Sequence, residues 1–236
     1  MKLITIPYAG GNKFSLAGLN PFLKDDVEII NVELSGRGAR MSEARHTSIP
    51  EMVDDLFKTY KHHFSGKYAL YGHSLGGTLG HLLIRRLTDE GYPLPLYFFV
   101  TGNGAPRSKE TNKLTKTPRH LMTDAEFKAE LRNMGGCPKE VLNNEQLMDF
   151  FTPILKDDFK AIESYTYTRD VPYNVPLLVI VGTEESYTDE DIALWGEETC
   201  ADFHWFRLPG NHFFILNHFE KIAQLIKESL KKEVKV

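Results

Sequence analysis

Tyr68-Ala69-Leu70-Tyr71-Gly72-His73-Ser74-Leu75-Gly76-Gly77 decides how the rest of the chain is read. A β-prone apolar run enters Gly-x-Ser-x-Gly, and Leu75, Leu79, Leu82, Leu83 and Leu87 follow at helical spacing. Strand, turn and helix in this order form a nucleophile elbow, in which a serine hydroxyl stands clear of a sheet on a tight turn. So sharp a turn needs small residues, and Gly72 and Gly76 supply them. Gly76, Gly77 and Gly80 would weaken an isolated helix. Their use here is to let its first turns lie close to the sheet. Gly-x-Ser-x-Gly alone also describes an ordinary structural turn; the strand before it and the helix after it favour a catalytic serine at Ser74.

Outward from the elbow, strands alternate with helices. Apolar runs at 3–6, 27–32, 97–100, 177–181 and 203–208 read as strands. Phe14, Leu16, Leu19 and Phe22 suggest a short helix ended near Pro21. Met52, Val53, Leu56, Phe57 and Tyr60 mark the core face of another, with Ser48 as N-cap and Pro50 in the first turn. Alternation at this spacing argues for a mostly parallel sheet covered by helices on both faces. Between 105 and 169 the rhythm changes to helices alone. Thr123-Asp124-Ala125-Glu126 has the form of a capping start, and helical stretches follow around 147–155 and 159–167. This insertion reads as a lid over the carboxyl edge of the sheet, where ligands bind in such folds; the alternative is a helical outer layer without a gating role.

The chain has 236 residues, 42% hydrophobic and 25% charged, which suits one α/β domain spanning 1–236. A formal net charge of −4 leaves no global basic footprint for nucleic acid. Two cysteines, Cys137 and Cys200, are too few for a disulfide framework and fit a reducing compartment. The N-terminal apolar run ends within a few residues at Pro7 and Gly10, too soon for a secretory signal, and no run approaches the ~18 apolar residues of a membrane span. The expectation is a cytoplasmic protein, monomeric, with no membrane partner.

A serine hydroxyl needs an adjacent base, and the base needs an acceptor that fixes its tautomer. With this elbow the order along the chain is serine, acid, histidine. Of nine histidines, only His204, His212 and His218 follow the strand at 177–181. His204 falls inside the last strand and His218 in the closing helix, whereas His212 sits in the loop between them. His212 is therefore the expected base. His73 is expected to be structural and His81 to be packing or surface. His62 and His63 form a solvated helix end without further metal ligands at suitable spacing. For the acid, Gly182-Thr183-Glu184-Glu185 places Glu185 three residues beyond the glycine; Glu184, Asp189 and Asp191 are the alternatives. Two backbone N–H groups should hold the oxyanion. Leu75 supplies one, and the loop after the first strand the other, at Ala9 with Tyr8 in reserve. This chemistry requires no metal or redox cofactor.

Six stretches together resemble the type II thioesterases of nonribosomal peptide and polyketide synthesis, members of the α/β-hydrolase fold. They are Pro7 to Gly11, Leu34-Ser35-Gly36-Arg37-Gly38, Gly72 to Gly77, Asp158-Phe159-Lys160 with Glu163-Ser164-Tyr165, Gly182 to Glu185 with Trp195, and Gly210-Asn211-His212-Phe213-Phe214. Glu185, Ser35 and Asn211 depart from the aspartate, proline and glycine usual in that family. The resemblance implies hydrolysis of acyl thioesters on the phosphopantetheine arm of acyl or peptidyl carrier proteins, clearing stalled or wrongly primed chains. A carboxylesterase or lipase acting on free esters would use the same triad, and a binding protein on the same fold is the non-enzymatic alternative. The segment from Arg107 to Arg119 carries five cations and one anion; it reads first as a solvated lid loop, with steering of an acidic carrier protein as the alternative.

Overall fold

The computed structural model describes residues 1–108, 117–137 and 139–233. Its elements are β1 (Lys2–Ile6), α1 (Asn20–Leu23), β2 (Glu28–Asn31), α2 (Ile49–Tyr60), β3 (Tyr68–His73), α3 (Leu75–Asp89) and β4 (Phe98–Thr101). Next come α4 (Asp124–Met134), α5 (Lys139–Leu142), α6 (Glu145–Ser164), β5 (Leu177–Gly182), α7 (Asp189–Ala193), β6 (Phe203–Leu208) and α8 (Ile215–Glu233). The six strands pair in the order β2-β1-β3-β4-β5-β6, and every pair is parallel. A parallel sheet must be covered on both faces, and its four inner strands β1, β3, β4 and β5 are almost wholly buried.

The two-residue period of the strands divides the core. Ile4, Ile6, Tyr68, Leu70, Leu177, Val179 and Val181 join one apolar cluster with the buried faces of α2 and α3. Leu3, Ala69, Tyr71, Leu178 and Ile180 join a second, with α8 and the segment from Leu16 to Leu23. A third cluster, Phe127, Leu131, Leu142, Met148 and Phe159, lies within the helices between β4 and β5.

Local signals place most helix starts. The Ser48 hydroxyl accepts from the Glu51 N–H, and Thr123 and Glu126 form a reciprocal capping box at α4. Two expectations are corrected. Pro21 opens α1 rather than ending a helix, because the first turn has no use for the N–H that proline lacks. The two stretches near 147–155 and 159–167 are one helix, α6, which runs through Pro153 and stops before Tyr165 and Tyr167. Pro153 lies on the exposed face, where water can satisfy the freed carbonyl. In the basic segment, Lys109, Glu110, Lys113 and Lys116 lie outside the described residues. Its flanks are engaged within the chain, Arg107 with Glu197 at 2.6 Å and Arg119 with Glu130 at 2.8 Å. Among the described residues no helix is long and apolar enough to cross a membrane.

His73 and His81 are both buried. His81 packs against Tyr173 and Trp195, with Glu198 at 3.7 Å. Burial, helped by the charge of Arg85, pushes its pKa down to about 3. Burial and then the neighbouring His212 hold His73 well below the usual imidazole range. Unfolded, each would take up a proton near pH 6.5. Both pKa values are lower in the fold, so the stability these groups contribute is present above about pH 6.5 and lost as pH falls below it. For His81 the loss is expected to be about 2 kcal/mol between pH 7 and pH 5, and His73 adds to it in the same direction. Urea unfolding at the two pH values measures the difference, and His81→Gln should shrink it by about 2 kcal/mol whatever it does to stability at pH 7.

Candidate active site

The site lies at the carboxyl ends of β3, β5 and β6. Ser74, directly after β3, has φ +54° and ψ −117°. It is the only non-glycine residue with positive φ among the described residues. Such a conformation costs about 1–3 kcal/mol and persists only when its surroundings enforce it. Here the Ser74 N–H donates to Thr101 O at 2.9 Å, while its carbonyl accepts from Gly77 N at 2.8 Å and from Asn103 Nδ2 at 2.8 Å. The flanking glycines are steric necessities. A Cβ on Gly72 would lie 2.2 Å from Gly76 O, and one on Gly76 would lie 2.1 Å from Ile6 O. The elbow is thus pressed between α3 and β1, with the serine side chain turned outward.

His212 comes from the loop leaving β6. Its Nε2 is 3.0 Å from Ser74 Oγ, and its Nδ1 is 2.7 Å from Glu185 Oε1. A carboxylate can only accept, so Nδ1 carries the hydrogen in the neutral ring and Nε2 presents its lone pair to the serine hydroxyl. Phe213 meets the imidazole edge-on at 5.1 Å, and His73 lies against it at 5.1 Å. Glu185 is held in turn, its Oε2 accepting the Gly182 N–H at 2.7 Å. Its side chain is only 5% exposed and that of His212 20%, which screens the pair while leaving the ring accessible from the serine side.

The other acids are engaged elsewhere. Asp189 accepts from Arg207 Nε and Nη2 at 3.0 and 2.9 Å. Asp191 closes the capping box of α7 with Thr188. Glu184 is exposed, and its backbone N–H donates to Gly210 O. His204 is exposed on β6, and the His218 Nε2–H donates to Pro209 O at 2.9 Å.

Leu75 is the first residue of α3, so its N–H belongs to the set without partners inside the helix, at the positive end of the helix dipole. Ala9 lies in the turn closed by the Gly11 N–H to Tyr8 O at 2.8 Å. Ala9, Ser74 and His212 line one cavity of about 270 Å³, which continues between apolar side chains of the inserted helices, among them Leu131, Met134, Phe151 and Leu155. Cys137 also lines it, and burial pushes its thiol pKa up, so it stays protonated. Sequence reading passed over Thr101 and Asn103. The latter sits in a Gly-Asn-Gly loop with no pattern of its own, and only the fold brings it under Ser74.

The thioesterase domain model matches residues 1–230. The chain belongs to the thioesterase family. It is a hydrolase that acts on thioesters, on an α/β-hydrolase fold. It is 29% identical over 230 residues to the gramicidin S biosynthesis protein GrsT of Aneurinibacillus migulanus, spanning 97% of this chain and 88% of that protein. Among solved structures, ClbQ from the colibactin NRPS/PKS pathway superposes with a TM-score of 0.90 at 26% identity, covering 98% of this chain and 97% of the other. The type II thioesterase BorB from the borrelidin biosynthetic cluster gives 0.87 at 28% identity, covering 97% and 92%.

Proposed function

We propose that this thioesterase-family member is a type II, editing thioesterase. It removes acyl groups from the phosphopantetheine arm of acyl or peptidyl carrier proteins of a nonribosomal peptide or polyketide synthetase. The observation that carries this reading is the hydrogen-bonded line Ser74–His212–Glu185 opening into an apolar cavity under the inserted helices. Ser74 Oγ attacks the thioester carbonyl while His212 Nε2 takes its proton. The N–H groups of Ala9 and Leu75 hold the oxyanion, and Glu185 stabilises the imidazolium. The C–S bond breaks and His212 returns the proton to the leaving thiolate. His212 then deprotonates a water, which cleaves the acyl-serine ester and frees the acid. One thioester and one water give one acid and one thiol.

The helices between 105 and 169 act as a lid in this reading. They supply apolar walls to the cavity, which favours uncharged aliphatic acyl groups because burying a charge there would be costly. Two free cysteines suit the cytoplasm. Parallel assays on an acyl-carrier protein, an acyl-pantetheine and a p-nitrophenyl ester of the same acid test the substrate. The expected order of kcat/KM places the carrier-bound thioester at least about tenfold above the free ester, a modest demand of ~1.4 kcal/mol. Preference for the free ester would turn the assignment to a carboxylesterase.

A further inference from the structure

Two stretches that carry the family resemblance, around Arg37 and Asp158, have no part in the chemistry above, yet they meet inside the molecule. Arg37 Nη1 and Nη2 donate to Asp158 Oδ2 and Oδ1 at 2.7 and 2.8 Å, across 121 residues of chain. Their side chains are 4% and 0% exposed. A pair this deeply buried must satisfy its remaining acceptor capacity. Asp158 does so by accepting the Gly10 N–H on Oδ2 at 2.7 Å.

That third bond reaches the loop behind the serine. Gly10 is the third residue of the turn from Tyr8 to Gly11, and its φ of +74° is what a type II turn demands there. The turn's own bond uses the Gly11 N–H, so the N–H of the third residue needs an acceptor outside the turn. Asp158 provides it. Leu155, one turn earlier on α6, closes over Gly10 so tightly that an added Cβ would sit 2.4 Å from its Cδ2. The second residue of the same turn is Ala9. One helix therefore fixes both the backbone and the outer face of the loop that bears the Ala9 N–H, and also lines the acyl cavity.

We infer that Asp158, clamped by Arg37, is a positioning residue: by holding the central 9–10 peptide it anchors the turn from Tyr8 to Gly11, so that the Ala9 N–H, on the adjoining 8–9 peptide, faces the oxyanion forming at Ser74. The inference rests on the function proposed above. It couples the placement of α6 to transition-state stabilisation rather than to substrate affinity.

The test uses the full chain. In Asp158→Asn one acceptor oxygen must serve donors that now occupy two, so the turn loses its hold. With an acyl-pantetheine substrate kcat should fall about 10- to 100-fold, less than the ~10²- to 10³-fold cost of deleting an oxyanion donor, and KM should stay within about twofold. Affinity for an acyl trifluoromethyl ketone, whose adduct with Ser74 carries an oxyanion, should fall in parallel with kcat. The double variant Arg37→Met, Asp158→Leu replaces the pair by apolar groups, an exchange buried ion pairs tolerate. Its Tm should return to near that of the parent while kcat stays low, because no acceptor for Gly10 is restored. Recovery of kcat together with Tm would reduce the pair to a structural staple and overturn the inference. So would an Asp158→Asn protein that raises KM and binds the ketone as tightly as the parent does. If the parent protein fails to hydrolyse the thioester, or Ser74→Ala retains turnover, the failure lies in the function proposed above.

Discussion

Ser74→Ala is expected to lower kcat for thioester hydrolysis by about 10⁴- to 10⁶-fold while leaving the protein folded. Alanine must adopt the same positive φ as serine, so the strain in the elbow is unchanged. Among the described residues the one bond lost is the hydroxyl to His212 Nε2, worth about 1 kcal/mol. Stability and activity therefore part company, which is the signature of a nucleophile and not of a structural turn. His212→Ala should cost a similar factor. The two losses should not add in the double variant, because either substitution alone removes the activated hydroxyl. Release of thiol, followed with a disulfide reagent, measures the rate. Intact-mass analysis after a fluorophosphonate should show one adduct on the parent protein and none on Ser74→Ala. An adduct that survives the substitution would place the nucleophile elsewhere.

What the sequence made legible was local. The elbow is written in ten consecutive residues, and the steric reason for its glycines follows from that stretch and the strand beside it. His212 and Glu185 were reachable because parallel strands end at one edge, so loops following consecutive strands become neighbours. Choosing among the acids was different. Glu184, Asp189 and Asp191 stand within seven residues of one another and of Glu185. What separates them is the Arg207 guanidinium that occupies Asp189 and the helix cap that occupies Asp191, neither of which periodicity reveals. The join of Arg37 to Asp158 was out of reach for the same reason on a larger scale. Each residue alone reads as a loop cation or a helix anion, and only tertiary packing buries them together. The unbroken α6 shows the complementary limit: a helix seen from one sequence is divided wherever its apolar stripe weakens, although packing carries it through.

Glu185→Gln should lower kcat by about 10³- to 10⁴-fold, whereas Glu184→Ala and Asp189→Asn should each stay within about twofold. The asymmetry comes from counting donors. Glu185 accepts the His212 Nδ1–H on one oxygen and the Gly182 N–H on the other. Glutamine offers a single acceptor, so its amide must point NH₂ at one of two donors. Turned toward His212, it forces the ring into the tautomer with its hydrogen on Nε2, which cannot take the serine proton. Turned toward Gly182, it leaves a backbone N–H opposed and still removes the charge that supports the imidazolium. Glu185→Asp probes the reach instead. With the backbone placed for glutamate, the shorter side chain falls about one C–C bond, ~1.5 Å, short of Nδ1, and an intermediate loss of at least about tenfold should result. The substitutions are read out as kcat and kcat/KM on one acyl-pantetheine across pH 5 to 9. A collapse of activity in Glu184→Ala with Glu185→Gln unharmed would reassign the acid, and with it the route by which His212 is held. It would leave the serine where the elbow puts it.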